Sequence, residues 1–140
     1  MLITLDSSVI VAAFRVQEPF HAECLRIFED LINLQHSAIE PYTTLVEVAA
    51  AVRRRTGSES LATEMRNHLT STANIQFVEL DAARSNHASD IAIATSLRGM
   101  DAVVVQIATE FQTILITLDD DIITRVSQSN IATVAHPANF

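Results

Sequence analysis

The chain has 140 residues, 49% of them hydrophobic, with 17 acidic side chains against 9 basic ones and a formal net charge of −8. That length holds one domain with a sizeable core, and the acidic balance argues against simple nonspecific binding of nucleic acid through a basic face. A lone cysteine, Cys24, excludes an internal disulfide; no apolar run approaches the roughly 18 residues of a membrane span, and the start lacks a signal peptide's basic and apolar segments, so a cytoplasmic, membrane-free protein is expected.

Leu2, Ile3 and Leu5 form a short apolar run without clean alternation, which predicts a strand covered on both faces and ending at Asp6. A helix is predicted from about Ser7 through Phe14. Pro19 is expected in the first turn of a longer helix, where a missing N–H costs nothing. The apolar positions of that helix, Cys24, Ile27, Phe28, Leu31, Ile32 and Leu34, recur mainly at three- and four-residue spacing. Ser37 to Pro41 reads as a short strand or extended link, because the residue before a proline is pushed out of helical conformation. Thr43 or Thr44 is expected to open the next helix, Thr44 and Glu47 having the spacing of a capping box. Arg53, Arg54 and Arg55 followed by Gly57 form its expected C-terminus.

Ser58 or Ser60 should start a further helix spaced by Leu61, Met65 and Leu69. Residues 75–80 alternate as a strand ending at Asp81, which repeats the opening pattern. Residues 82–97 read as an alanine-rich helix that Gly99 breaks, and another helix starts at Asp101. Residues 114–117 form a short apolar strand running into Asp119, Asp120 and Asp121, and residues 131–134 a final strand. Strands alternating with helices predict a single α/β domain over residues 1–140, its central, mostly parallel β-sheet flanked by helices on both faces.

In such sheets ligands sit outside the carboxyl ends of the strands, which is where Asp6 would lie. The other reading of Asp6 alone is an N-cap of the next helix. Asp119 could converge on Asp6 from a neighbouring strand, and Asp101 could face the same spot. Glu47 sits among Leu45, Val46, Val48 and Ala49, where an ionised group is costly without a partner or a metal. Carboxylates so gathered repel one another, raise their own pKa values or recruit cations. All-oxygen ligation with no converging Cys or His favours Mg²⁺ or Mn²⁺. The five histidines show no zinc-ligand spacing. Asp120 reads as an acid stabilising a helix start. Arg53 and Arg54 are candidates to meet phosphates, with a solvated helix end as the other reading of the triplet.

Four segments, Leu5-Asp6-Ser7-Ser8, Thr44-Leu45-Val46-Glu47-Val48, Leu97-Arg98-Gly99-Met100-Asp101-Ala102 running on to Ala108, and Ile116-Thr117-Leu118-Asp119-Asp120-Asp121, occur in the order and spacing of the PIN-domain family. The chain most resembles the VapC-like toxins of prokaryotic toxin–antitoxin pairs, over essentially its whole length. That resemblance implies a metal-dependent ribonuclease on a central parallel sheet. It places Asp6, Glu47, Asp101 and Asp119 at the family's acidic positions and Asp121 at an additional acid that many members carry. It makes Ser7 or Ser8 the small hydroxyl residue beside the first acid and Thr117 the threonine before the last. It also implies a homodimer held inactive by a cognate antitoxin. Met100 departs from the pattern, which commonly has a smaller residue there.

The implied chemistry is hydrolysis of RNA phosphodiester bonds supported by one or two Mg²⁺ ions. Asp6, Asp101 and Asp119 would hold the principal ion; Glu47 would complete its shell, directly or through water, or act as general base. Competing strand-end aspartate enzymes are excluded by composition. All nine bases are arginine, so the lysine that phosphoaspartyl receivers and haloacid-dehalogenase-like phosphatases typically use is missing, as is the lysine of a P-loop. The alternative outside catalysis is a PIN-like module that binds RNA or protein without cutting.

Overall fold

Five short strands form one sheet in the computed structural model, which describes residues 1–140: β1 (Leu2–Leu5), β2 (Ser37–Pro41), β3 (Ile75–Val78), β4 (Ile114–Ile116) and β5 (Thr133–Ala135). Their order is β3-β2-β1-β4-β5 and every pair is parallel. Parallel neighbours need crossover connections, and helices supply them. These are α1 (Ser7–Phe14), α2 (His21–Ile32), α3 (Tyr42–Thr56), α4 (Glu59–Ser71), α5 (Ala82–Thr95), α6 (Gly99–Phe111) and α7 (Asp120–Ser129). No single helix is long and apolar enough to cross a membrane.

Alternate residues of a strand point to opposite faces, and the two layers of core follow from that. Ile3 and Leu5 of β1 and Ile116 of β4 pack with Val9, Ile10, Phe28, Leu31, Val48 and Leu69 of the first four helices. Leu115 faces the other way, into a second cluster with Val104, Val105, Ile122 and Val126 of α6 and α7. From Ala102 to Ala108 every residue of α6 is buried, so this helix is wrapped on all sides. Thr4 is fully buried on β1, and its hydroxyl is bonded to Ile39 O at 2.9 Å and to Thr113 Oγ1 at 2.7 Å.

Three local expectations are corrected. Pro19 does not enter α2: it lies in a turn, and α2 begins at His21 after Phe20, whose φ of 60° interrupts any helix. The capping box at Thr44 does not form, because α3 already starts at Tyr42 and the Thr44 hydroxyl turns to Glu40 Oε2 at 3.5 Å. The helix over residues 82–97 stops at Thr95, with Ser96 in left-handed conformation, so Gly99 opens α6 rather than breaking α5. The expected stop at Gly57 is present, with φ 69° and its amide bonded to Arg53 O. Ser58 caps α4 through the amide of Leu61.

Leu115 is inaccessible to solvent between β1 and β5. Leu115→Ala is expected to cost about 2–5 kcal/mol, read as a fall in the urea midpoint at unchanged slope.

Candidate active site

The chain runs from β1 to β2 and β3 on one side, then returns to β4 and β5 on the other, so the order reverses beside β1. Such a reversal opens a crevice at the strands' carboxyl ends, between β1 and β4. Ile3, Thr4 and Leu5 pair with Ile114, Leu115 and Ile116, and the next residues, Asp6 and Thr117, meet at the crevice.

Asp6 stands at the N-cap position of α1, yet its side chain caps nothing. It is 7% exposed, and Oδ2 accepts hydrogen bonds from Ser8 Oγ and, at 3.0 Å, from Thr117 Oγ1. Each hydroxyl that donates to Asp6 also accepts a backbone amide from the loop after β4: Leu118 N reaches Ser8 Oγ at 3.3 Å and Asp119 N reaches Thr117 Oγ1 at 3.0 Å. Of the two serines Ser8 therefore holds the aspartate, while Ser7 lines the cavity in front of it.

Asp119 both caps and faces the cavity. Its Oδ1 accepts the amide of Asp121 at 2.8 Å at the start of α7, and its Oδ2 accepts Arg98 Nη2 at 2.9 Å. Asp101, in the first turn of α6, accepts Arg98 Nε at 2.9 Å. Glu47 approaches from α3. Asp6, Glu47, Asp101 and Asp119 thus line one open cavity of about 710 Å³. Asp120 sits in the first turn of α7, as a helix-start acid should. Asp121 is engaged with Arg125 at 2.8 Å and is not part of the cavity wall.

Burial, and then neighbouring charge, raises the pKa values of Asp6, Glu47 and Asp101. Glu47 is pushed up to about 7, by burial first and then by the charges of Asp6 and Asp101. Asp6 is raised by burial against the lowering effect of its two hydroxyl partners, and Asp101 is raised by burial in spite of Arg98. Arg98 is the chain's own answer to this charge: a guanidinium on a 75% exposed side chain bridges Asp101 and Asp119. As the side chains stand, no three His, Cys, Asp or Glu residues are grouped tightly enough to hold one ion. The donor chemistry nonetheless fits a hard divalent cation, being all carboxylate and hydroxyl oxygen around a deficit of positive charge. Arg98 has to withdraw for Asp101 and Asp119 to turn toward an ion.

Two residues at the site were not anticipated. Arg98 stands three residues before Asp101, a spacing that pairs charges in a helix's first turn. Glu40 looked like an ordinary strand residue. It is 1% exposed, and Oε1 accepts the amide of Leu5 at 2.6 Å. The β1–β2 ladder pairs only Leu2 with Ser37 and Ile3 with Ala38, and Glu40 supplies the acceptor that β2 backbone does not. Burial, and the charge of Asp6, push its carboxyl well above the usual range.

The arginine triplet divides. Arg54 and Arg55 line a second cavity of about 480 Å³ that adjoins the first, Arg55 is paired with Glu18 at 2.7 Å, and Arg53 lines neither cavity.

The family model described as "PIN domain" matches residues 3–128. No curated protein sequence matches the chain. Among solved structures the chain is similar to VapC20 of Mycobacterium tuberculosis, described as a sarcin-ricin loop cleaving toxin, at TM-score 0.74 and 15% identity, covering 87% of this chain and 93% of that one. It is similar to VapBC2 of Rickettsia felis, bound to a fragment of its promoter DNA, at TM-score 0.72 and 11% identity over 97% of this chain and 98% of the other. VapBC-1 of nontypeable Haemophilus influenzae matches at TM-score 0.68 and 15% identity over 99% and 100%. At these identities the likeness is one of fold.

The raised Glu47 has a measurable consequence. Folded, it keeps its proton to about pH 7, whereas unfolded it releases it near 4.5. Between those values the folded state binds more protons, so stability falls as pH rises. In EDTA the Tm should fall between pH 5 and pH 7.5, and by less in Glu47→Gln. Equal slopes in the two proteins would remove Glu47 from the strained cluster.

Proposed function

The chain belongs to the PIN-domain family, and on that premise we propose that it is a Mg²⁺- or Mn²⁺-dependent endoribonuclease acting as the toxin of a toxin–antitoxin pair. The observation that carries this reading is the gathering of Asp6, Glu47, Asp101 and Asp119 on one open cavity at the point where the strand order reverses. Asp6, Asp101 and Asp119 would hold the principal ion, with Asp121 as an outlying acid that must first leave Arg125. When bound, the ion supplies positive charge to the scissile phosphate and makes the attacking water more acidic.

The protein's own residues do the rest. Ser8 and Thr117 orient Asp6 and, through Leu118 and Asp119, lock the β4–α7 loop to it. The Glu47 carboxyl is pushed up to about 7, so near neutral pH it would serve as the base that takes a proton from an attacking water and passes it to solvent. Arg98 is exposed enough to swing from the acids to a phosphate oxygen, where a guanidinium offers a bidentate contact.

The control system follows from the same electrostatics. A partner that inserts an arginine among these acids would satisfy Asp101 and Asp119 as Arg98 does and exclude the ion. A toxin–antitoxin complex from Klebsiella pneumoniae is similar to this chain at TM-score 0.68 and 14% identity over 99% of each chain, which supports a cognate antitoxin for this chain. A homodimer acting in the cytoplasm completes the proposal.

Purified protein should cleave RNA in Mg²⁺ and not in EDTA, and Asp6→Asn should cut only at background while keeping its circular dichroism spectrum. Expression of the wild type should arrest growth, and Asp6→Asn should not. RNA binding without Asp6-dependent cleavage would instead identify a noncatalytic PIN-like module.

A further inference from the structure

Helix α3 buries one stripe, Thr44, Val48 and Val52, against the core. A second stripe, Thr43, Val46, Glu47, Ala50, Ala51 and Arg54, recurs at three- and four-residue spacing and forms one wall of the 480 Å³ cavity. Ser7, Ser8 and Val11 of α1 and Met100 at the start of α6 form the rest, with Arg55 at the rim. This groove is continuous with the acidic cavity, because Ser7, Ser8, Glu47 and Met100 line both.

Its chemistry changes along its length. Near the acids it offers hydroxyls and Glu47. In the middle it is apolar and shallow-walled: Ala50 and Ala51 leave room, while Val46 is 69% and Met100 44% exposed, so both present apolar surface to whatever occupies the groove. Arg54 lies seven residues, two turns and about 10 Å, beyond Glu47. Arg55 is already committed to Glu18, whereas Arg54 makes no ion pair. A cavity of this volume is in the range that holds one small ligand.

We propose that this groove seats one nucleotide of the RNA strand beside the scissile phosphate, its own phosphate on Arg54 and its base against Val46 and Met100. The inference rests on the ribonuclease reading of the acidic cavity. An unpaired cation two turns from the acids, with apolar walls between, matches the alternation of phosphate and base along a single strand. Helical phase selects Arg54 over its neighbour Arg53. Met100 lines this groove, the acidic cavity and a third, mostly apolar one beyond it. A flexible thioether at that junction adapts to bases of different size, so Met100 is a specificity-determining residue.

The test uses fluorescein-labelled single-stranded RNA octamers, with Ca²⁺ replacing Mg²⁺ for binding and Mg²⁺ present for cleavage. Arg54→Gln should weaken binding about tenfold and lower the log–log salt slope by about 0.7, the share of one phosphate on a single strand, with a larger loss than Arg53→Gln. In cleavage it should raise KM with kcat nearly unchanged. Met100→Ala should weaken binding about fivefold and alter which nucleotide is preferred beside the cut. Both positions are exposed, and unchanged circular dichroism establishes that the variants fold. Asp6-dependent cleavage with wild-type binding in both variants, equal losses in Arg53→Gln and Arg54→Gln, or loss of a protein partner with RNA binding intact would each overturn the groove assignment and leave the nuclease standing. If no variant nor the wild type binds or cuts RNA, the ribonuclease reading itself falls, and the groove assignment with it.

Discussion

Asp6 is held at the carboxyl end of the central strand, where burial and its acidic neighbours both oppose its charge, and the local structure is built around that conflict. Two hydroxyls, on Ser8 and Thr117, stabilise the carboxylate. Because they also receive the amides of Leu118 and Asp119, the bonds that make Asp6 tolerable also position the loop that carries the last acid. On the opposite flank Glu40 stitches β1 to β2 through Leu5, the residue immediately before Asp6. The strand end is thereby braced from both sides.

Below about pH 7 the charge of this arrangement is not fully developed. Two like charges about 4 Å apart repel by about 4 kcal/mol at an effective dielectric near 20, a large share of a domain's stability of about 5–15 kcal/mol. Two devices lower the cost in the isolated chain. Glu47 retains its proton to about pH 7, and Arg98 lends its guanidinium to Asp101 and Asp119. A divalent cation would do the work of both. The acids that strain the folded state are also the groups proposed to hold an ion, so the proposed function and the local instability have one origin.

Much of this was legible from residue order. Short apolar runs separated by helical periodicity predict a parallel sheet, and Ile3, Leu5, Leu115 and Ile116 are buried in it, while Leu2 at the start of β1 is exposed. Asp6 and Asp119 stood out because each follows an apolar run, Glu47 because it interrupts one, and Asp101 because it stands at a helix start. What stayed hidden depends on tertiary geometry. Glu40 has no local signature, because its role arises only where β1 and β2 stop pairing beyond Ile3 and Ala38. Thr44 satisfied the capping-box spacing yet turned to Glu40, since a buried carboxyl competes successfully for its hydroxyl. The N-cap reading was open for Asp6 alone, yet it is Asp119 that caps its helix, the Asp6 carboxylate being taken by Ser8 and Thr117.

The central claim is that these carboxylates form a cation site organised by Asp6. It is tested most directly by titrating Mn²⁺ into the protein at pH 7.5 and following the free-ion signal by electron paramagnetic resonance, in wild type and in Asp6→Asn. Saturable binding by the wild type that is lost in Asp6→Asn is the result this account predicts; no saturable binding by the wild type, or identical isotherms for the two proteins, would contradict it.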